Sequence, residues 1–297
     1  MPSHASRLLS LACTAALSLI LLGASAAAQE APYIVTYDHH LEEPGSLEIE
    51  AYSTAGVPHA PIAGYIAPWV EFEYGVKAWW TAEFYLDGQS TWRDSTIFTG
   101  WRLENRFRPL AREHRINPVL YFEYENTSEA DKIRKEVVGH SEETDESNAI
   151  LSAEHSHEIE GKLILSGASH DWNIAGNFII EKNLSESEAT EFGYALAVSR
   201  PLSRMAAGRD CHFCPENFVA GVELYGGLGN TEHFGFTDTA QYIAPVIAWQ
   251  VTDNATLHFS PGFGLTRGSE HSLIRFGYSY EIRGFRDAVA SLFRSKK

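Results

Sequence analysis

The chain has 297 residues, 44% of them hydrophobic, and its 23 basic against 39 acidic residues give a formal net charge of −16. This length and hydrophobic content exclude a disordered acidic chain and a small disulfide-dense domain. The negative charge argues against nucleic acid as a partner, because phosphate binding requires a basic surface.

The first 28 residues predict a cleavable secretory signal peptide. One basic residue precedes an apolar run over 8–24, and Ala26 and Ala28 place small residues at the cleavage positions. A membrane anchor is the alternative, but the flank that follows is small and then acidic rather than basic. We therefore expect an exported chain in which residues 29–45 form an N-terminal periplasmic segment.

Residues 46–282 alternate between hydrophobic and polar side chains with a period of two, which predicts β-strands. The alternation predicts twelve strands, at 46–56, 66–76, 80–89, 96–108, 117–127, 153–168, 172–182, 190–200, 217–228, 240–250, 255–266 and 272–282. Twelve strands of about ten residues fit one antiparallel up-and-down transmembrane β-barrel. No segment of the mature chain has about 18 consecutive apolar residues, so contact with a membrane is expected through strands.

Alternation alone also fits a soluble sandwich or a lipocalin-like barrel, in which the apolar face points inward. Export favours the membrane barrel. The connections point the same way, because short ones, such as 169–171 and 252–254, alternate with longer polar ones. The connection 201–216 is longer than a periplasmic turn usually is. Tryptophan, which prefers the membrane interface, is expected beside the short turns at Trp79, Trp80, Trp172 and Trp249.

Three stretches carry a resemblance to a known group of proteins. They are Tyr37-Asp38-His39-His40-Leu41-Glu42-Glu43-Pro44-Gly45, the turn Glu73-Tyr74-Gly75-Val76-Lys77, and Gln250-Val251-Thr252-Asp253-Asn254. The chain resembles bacterial outer-membrane β-barrel proteins of the loosely named transporter type, including those similar to products of aromatic-degradation gene clusters. The resemblance implies an envelope location and passage of small molecules, and it transfers no catalytic residue. Such chains often end on an aromatic residue of the last strand, whereas this one continues for 15 residues past Ile282.

If the apolar faces contact lipid, the polar faces point into the lumen and form a charge network. Its predicted members are Glu71, Glu73, Glu83, Arg102, Glu104, Arg106, Glu123, Glu125, Arg275 and Glu281. Paired Glu and Arg side chains brace the wall, and the surplus of Glu leaves a negative field. Two interpretations remain open: a conduit or binding lumen that favours cations, and a salt-bridged, plugged interior.

Histidine is plentiful, and His155 and His157 share one face of a predicted strand. The preceding loop carries His140, Glu142, Glu143, Asp145 and Glu146, and imidazole with carboxylate ligates divalent ions. The spacing matches no known tight metal site, so a solvated surface loop is the alternative. The sequence contains no Gly-rich phosphate loop, Gly-x-Ser-x-Gly elbow or zinc-protease signature, and no cofactor is predicted.

Cys211 and Cys214 are the two cysteines of the exported chain, and a disulfide-pinned turn is predicted rather than a redox or haem site. The tail 283–297 has helical spacing of apolar residues and a charge of 5 − 1 = +4. It predicts a basic amphipathic helix at the anionic membrane surface or at the short-turn rim, with a frayed terminus as the alternative.

The sequence thus predicts a monomeric barrel in the outer membrane, bound by its lipids. Its predicted function is that of a passive channel or binding protein for a small solute, and not that of an enzyme. Two other classes remain alternatives: an outer-membrane barrel enzyme such as a lipid hydrolase, and a structural or metal-capturing surface protein. The identity of the solute and the diameter of the lumen do not follow from the residues.

Overall fold

The computed structural model describes residues 32–59, 61–133, 137–140, 146–203, 211 and 213–294. The predicted signal peptide, the last three residues of the tail, and Glu142, Glu143 and Asp145 lie outside these ranges. Within the described ranges, no helix has both the length and the apolar character needed to cross a membrane.

Twelve strands make up most of the described chain. They are β1 (Leu47–Val57), β2 (Tyr65–Lys77), β3 (Trp80–Thr91), β4 (Thr96–Phe107), β5 (Asn117–Ser128), β6 (His155–Ser169), β7 (Trp172–Asn183), β8 (Glu191–Pro201), β9 (Phe218–Asn230), β10 (Gln241–Thr252), β11 (Ala255–Gly264) and β12 (Ser272–Ile282). Each observed strand end lies within two residues of its predicted position.

The strands form a closed antiparallel barrel in which each strand pairs with its neighbours in sequence. Closure occurs between β1 and β12, whose register runs from Leu47 opposite Ile282 to Val57 opposite Ser272. Closing the sheet leaves no unpaired edge strand. The predicted twelve-stranded up-and-down barrel is confirmed.

The period-two alternation sorts side chains between the outside and the inside of the barrel. Phe122 and Phe276 are 55% and 51% exposed on the outer face, whereas Glu83 and Glu104 are buried. The outer face therefore consists largely of hydrophobic side chains and the interior is polar, which is the reverse of a soluble barrel.

The two rims of the barrel differ in their connections. At the short-turn rim, strands are joined by tight turns at 78–79, 170–171 and 253–254, and the chain enters β1 and leaves β12 there. Aromatic rings gather at this rim: Trp79 and Trp80 stack with Phe107. Most connections at the opposite, long-loop rim are longer.

Two elements extend the short-turn rim. Cys211 and Cys214 form a disulfide in the connection between β8 and β9, next to a 3-10 turn at Pro215–Asn217. Helix α2 (Phe285–Arg294) follows β12, and the amide of Arg286 donates to the carbonyl of Gly45 at 2.9 Å. A shorter helix, α1 (Asn148–Leu151), lies in the loop between β5 and β6.

Candidate functional site

The interior wall formed by β1 to β7 is lined by buried acidic side chains, and we call it the charged half-wall. Its acidic members are Glu48, Glu50, Glu71, Glu73, Glu83, Asp87, Glu104, Glu123, Glu125, Glu158, Glu160 and Glu181. Arg102, Arg106 and Lys162 are the bases that pair with them. Carboxylates outnumber these bases, so the wall carries an excess of acidic groups.

Arg106 on β4 is the centre of the densest ion-pair cluster. Its guanidinium lies 2.6 Å from the carboxylate of Glu73 and 3.2 Å from that of Glu104, and it also binds Glu83. Strands β2, β3 and β4 bring these residues together across two ladders. A planar guanidinium has five N–H donors, so one Arg can satisfy several carboxylates at once.

Arg102, four residues before Arg106 on β4, forms a second cluster. Its Nε and Nη2 each donate to the carboxylate of Asp87 at 3.0 Å, and its Nη1 donates to Glu123 at 3.2 Å. Lys162 on β6 binds Glu160 at 2.8 Å. The Arg102 contacts tie β3, β4 and β5 together on the inside of the barrel, whereas Lys162 and Glu160 both lie on β6.

The wall formed by β8 to β12 differs and is lined mainly by small or apolar side chains; we call it the small-residue half-wall. Its buried members include Ala195, Ala197, Ser199, Val219, Ala244, Val246, Ala248 and Ser260. Arg275 is buried on this side, where its guanidinium donates to the hydroxyl of Tyr225. Glu281 has the same inward parity but lies at the rim, paired with the exposed Arg283 at 2.7 Å.

Residues 32–45, which we call the N-terminal segment, lie inside the barrel between these two walls. The segment reaches β1 through a tight turn, in which the amide of Ser46 donates to the carbonyl of Glu43 at 2.9 Å. Pro44 and Gly45 occupy the central positions, and Gly45 has φ of +88°, which suits a type II turn. A Cβ on Gly75 would come within 2.0 Å of the Glu43 carbonyl, so this close approach requires glycine.

Tyr37 anchors the segment to the charged half-wall. Its hydroxyl donates to Glu104 at 3.1 Å and lies 3.3 Å from the hydroxyl of Tyr85. Its ring packs edge-on against Tyr121 with centroids 5.2 Å apart, and the guanidinium carbon of Arg106 lies 5.1 Å from its centroid. The ring therefore lies among paired charges and also packs against the buried cluster of Val119, Tyr121 and Ile164.

On the other side, the segment binds a single buried carboxylate of the small-residue half-wall. Glu223 on β9 accepts the backbone amides of Ile34, Val35 and Thr36 at 3.3, 3.0 and 2.8 Å. Tyr33 packs with Ala197 and Val246 of this wall and with Ala175 on the adjoining β7, and Val35 packs against a second cluster of this wall. The segment thus spans the lumen from one wall to the other.

Asp38, His39 and His40 lie where the segment passes the short-turn rim. His39 is buried beside Ser166, with its Nδ1 2.6 Å from the hydroxyl oxygen, and His40 Nδ1 lies 2.8 Å from Asp38 Oδ2. Burial disfavours the charged form of Asp38, but the hydrogen bonds from His40 outweigh it and hold the pKa of Asp38 below its ordinary value. The same hydrogen bond raises the pKa of His40.

The predicted metal ligands His155 and His157 lie elsewhere. His155 is exposed, and His157 Nδ1 lies 2.6 Å from the hydroxyl of Tyr124. Among the described residues, three groups have the spacing of a metal site, and neither of these histidines belongs to them. The groups are Asp38 with His39 and His40; Glu71 with Glu73 and Glu83; and Glu123 with Glu125 and Glu160.

The position of the N-terminal segment did not follow from the sequence, because residues 32–45 show no period and carry no catalytic motif. The Pro44-Gly45 dipeptide was the available signal, since it marks a sharp turn directly before β1. A reversal at that point brings the preceding residues back toward the barrel axis. The role of Glu223 as acceptor for this backbone had no local signal.

Comparison with known proteins shows similarity of fold. No family model and no curated protein sequence matches this chain. An outer membrane channel from Pseudomonas putida F1 is 11% identical with a TM-score of 0.53, and the match covers 84% of this chain and 100% of that chain. The KdgM porin, solved in complex with disordered oligogalacturonate, is 8% identical with a TM-score of 0.48, covering 79% and 98%. The NanC porin is 12% identical with a TM-score of 0.48, covering 80% and 100%.

Proposed function

We propose that this protein is an outer-membrane channel for small solutes, with a lumen that favours cations and an N-terminal segment that acts as its plug. The charged half-wall is the observation that carries this proposal. Burying charge is costly, and a buried ion pair often stabilises a fold no better than a well-packed hydrophobic pair. An excess of inward carboxylates is therefore better explained by what the lumen attracts than by stability.

A membrane location is supported by the outer face of the barrel. Large side chains such as Phe84, Leu103 and Ile159 are 39%, 44% and 46% exposed there, which is unfavourable in water and suited to lipid. The aromatic rim at Trp79 and Trp172 has the composition of a membrane interface. The predicted signal peptide accounts for export of the chain. The similar fold of an outer membrane channel supports the same location.

Helix α2 is proposed to lie on the periplasmic surface of the same membrane. Leu292 and Phe293 are exposed on it, and the tail as a whole is basic. The helix starts directly after β12, and we propose that its exposed apolar side chains contact the membrane surface. We propose a monomer surrounded by lipids, because the barrel is closed and its outer face is apolar.

The N-terminal segment is proposed to leave the lumen when the channel opens. Hydrogen bonds and ring contacts hold it, and the turn at Pro44 and Gly45 is a short hinge next to β1. These contacts are individually weak enough to break and re-form, unlike the strand pairing of the wall. Small cations and small aromatic compounds, the latter suggested by the resemblance to aromatic-degradation proteins, are the solutes to test first.

Planar-bilayer recordings test the proposal directly. Under a salt gradient, the wild-type chain is expected to conduct with a reversal potential that shows cation preference. The combined variant Glu71→Gln, Glu73→Gln, Glu123→Gln and Glu125→Gln should move that potential toward zero. The control Glu186→Gln with Glu232→Gln removes exposed loop carboxylates and should leave it unchanged. Absence of conductance, or equal potentials in all three proteins, would refute the proposal.

A further inference from the structure

We infer that Asp38, His39, His40 and Glu113 bind one divalent transition-metal ion of the Zn²⁺ class at the short-turn rim. The site joins the N-terminal segment to the connection between β4 and β5, where Glu113 lies. Binding of the ion follows from the position of the segment and does not require the barrel to conduct.

The geometry of the side chains fits a metal ion. One ligand atom each from Asp38, His39 and His40 lies within 4.8 Å of the others. His39 Nε2 lies 3.8 Å from Glu113 Oε1, too long for a hydrogen bond but close to the ligand-to-ligand edge of a tetrahedral site, which is about 3.4 Å for bonds of about 2.1 Å. The 2.8 Å contact between His40 and Asp38 opens to that length by a small side-chain rotation, with the ion replacing the shared proton.

The hydrogen bonds that orient the ligand side chains support the same conclusion. A metal-binding histidine usually has its second ring nitrogen hydrogen-bonded, which fixes its orientation. Here His39 Nδ1 contacts the hydroxyl of Ser166 at 2.6 Å, which leaves Nε2 directed toward Glu113. Asp38 is held in the same way, since Asn173 donates to its Oδ2 at 2.9 Å and the amide of His40 donates to its Oδ1 at 2.8 Å.

The ligand types select the class of ion. Imidazole nitrogen together with carboxylate oxygen suits Zn²⁺, Cu²⁺ and Ni²⁺, whereas all-oxygen sites suit Ca²⁺ and Mg²⁺. The two all-glutamate groups of the lumen differ in a second respect, because Arg106 and Lys162 already place bases among them. The histidine group combines buried ligands with an open side: the side chains of His40 and Glu113 are 43% and 65% exposed.

A bound ion would fasten the N-terminal segment in the lumen. Three ligands belong to the segment and the fourth belongs to the connection between β4 and β5, so the segment cannot leave until the ion dissociates or Glu113 is released. If the barrel conducts as proposed above, Zn²⁺ added on the side of this rim should lower its open probability. Failure of that effect alone would count against plugging by the segment and not against the metal site.

The test is titration of the full chain in detergent, after EDTA treatment, with ZnCl₂ by calorimetry and with CoCl₂ by visible absorption. We expect one Zn²⁺ per chain and a cobalt spectrum with the intensity of a four-coordinate site. His40→Ala should weaken Zn²⁺ binding at least tenfold, and Glu113→Gln should weaken it several-fold.

Two matched variants remove a histidine elsewhere: His170→Asn, in a tight turn of the same rim, and His155→Ala, at the pair predicted from the sequence. Both should bind Zn²⁺ as the wild type does. Because His40 and Glu113 are partly exposed, their variants should retain the heat-dependent gel mobility of a folded barrel. The inference is wrong if the wild-type chain shows no saturable binding, or if His40→Ala binds Zn²⁺ as tightly as the wild type does.

Discussion

The two halves of the barrel interior are built from the same antiparallel strands but are lined by different kinds of side chain. The charged half-wall is crowded with carboxylates held in ion pairs, whereas the small-residue half-wall offers alanine, serine and valine. Between them the N-terminal segment places Tyr37 toward the first wall and Tyr33 and Val35 toward the second. The small side chains of the second wall therefore leave room for the segment, and the carboxylates of the first wall bind its Tyr37.

Removing the central base of the charged half-wall should have the largest effect on stability. Arg106→Met leaves Glu73, Glu83 and Glu104 without their shared partner, and losing one side of a buried ion pair costs about 3–5 kcal/mol. Urea unfolding of the barrel in detergent micelles measures this loss. Arg283→Met removes an exposed pair with Glu281 and should cost less than about 1 kcal/mol. Equal losses of unfolding free energy in the two variants would contradict the expectation that the buried ion pairs of the lumen stabilise the barrel more than the exposed pair at the rim.

A charge on the outer face should have the next largest effect. Phe122 is 55% exposed in the middle of β5, and an arginine at the membrane midplane of a barrel costs about 2–4 kcal/mol. Phe122→Arg should therefore destabilise the barrel folded into lipid vesicles. Ile150→Arg, at a residue 56% exposed on α1 outside the barrel, should change stability by no more than about 0.5 kcal/mol. A soluble barrel would tolerate both substitutions.

The smallest expected effects concern two tyrosines of the N-terminal segment, one bonded to a charged acceptor and one to a neutral acceptor. Tyr37→Phe loses a hydrogen bond to the carboxylate of Glu104, which contributes about 1.5–3 kcal/mol, as bonds to charged groups do. Tyr33→Phe loses one to the neutral Asn173, which contributes about 0.5–1.5 kcal/mol. Hydrogen exchange of the peptide that contains residues 32–45 should accelerate more in Tyr37→Phe. The reverse order would mean that the bond to Asn173 on β7 holds the segment more strongly than the bond to Glu104 on β4.

The barrel was predictable because its signal is local. Period-two alternation determines which side chains face outward, and turns such as 169–171 mark the strand ends, so all twelve strands were found to within two residues. The disulfide between Cys211 and Cys214 also follows from local spacing and is present.

The contents of the lumen were less predictable because they depend on contacts between distant residues. Glu223 meets Thr36 across a separation of 187 residues, and Tyr37 meets Glu104 across 67. No pattern within residues 32–45 indicates which wall each of its side chains contacts. The proposed metal site depends on such a contact as well, since Glu113 lies 74 residues after His39 and approaches it only in the folded chain.

Comparison of wild-type and Glu223→Ala channels in planar bilayers tests most directly whether the N-terminal segment plugs the lumen. The substitution removes the acceptor of three backbone amides, each bond worth about 1.5–3 kcal/mol at a charged acceptor, and should raise the open probability at least about tenfold. Glu181→Ala removes a buried glutamate opposite Glu160 and serves as the control. Equal open probabilities in the wild type and Glu223→Ala would contradict plugging by this segment.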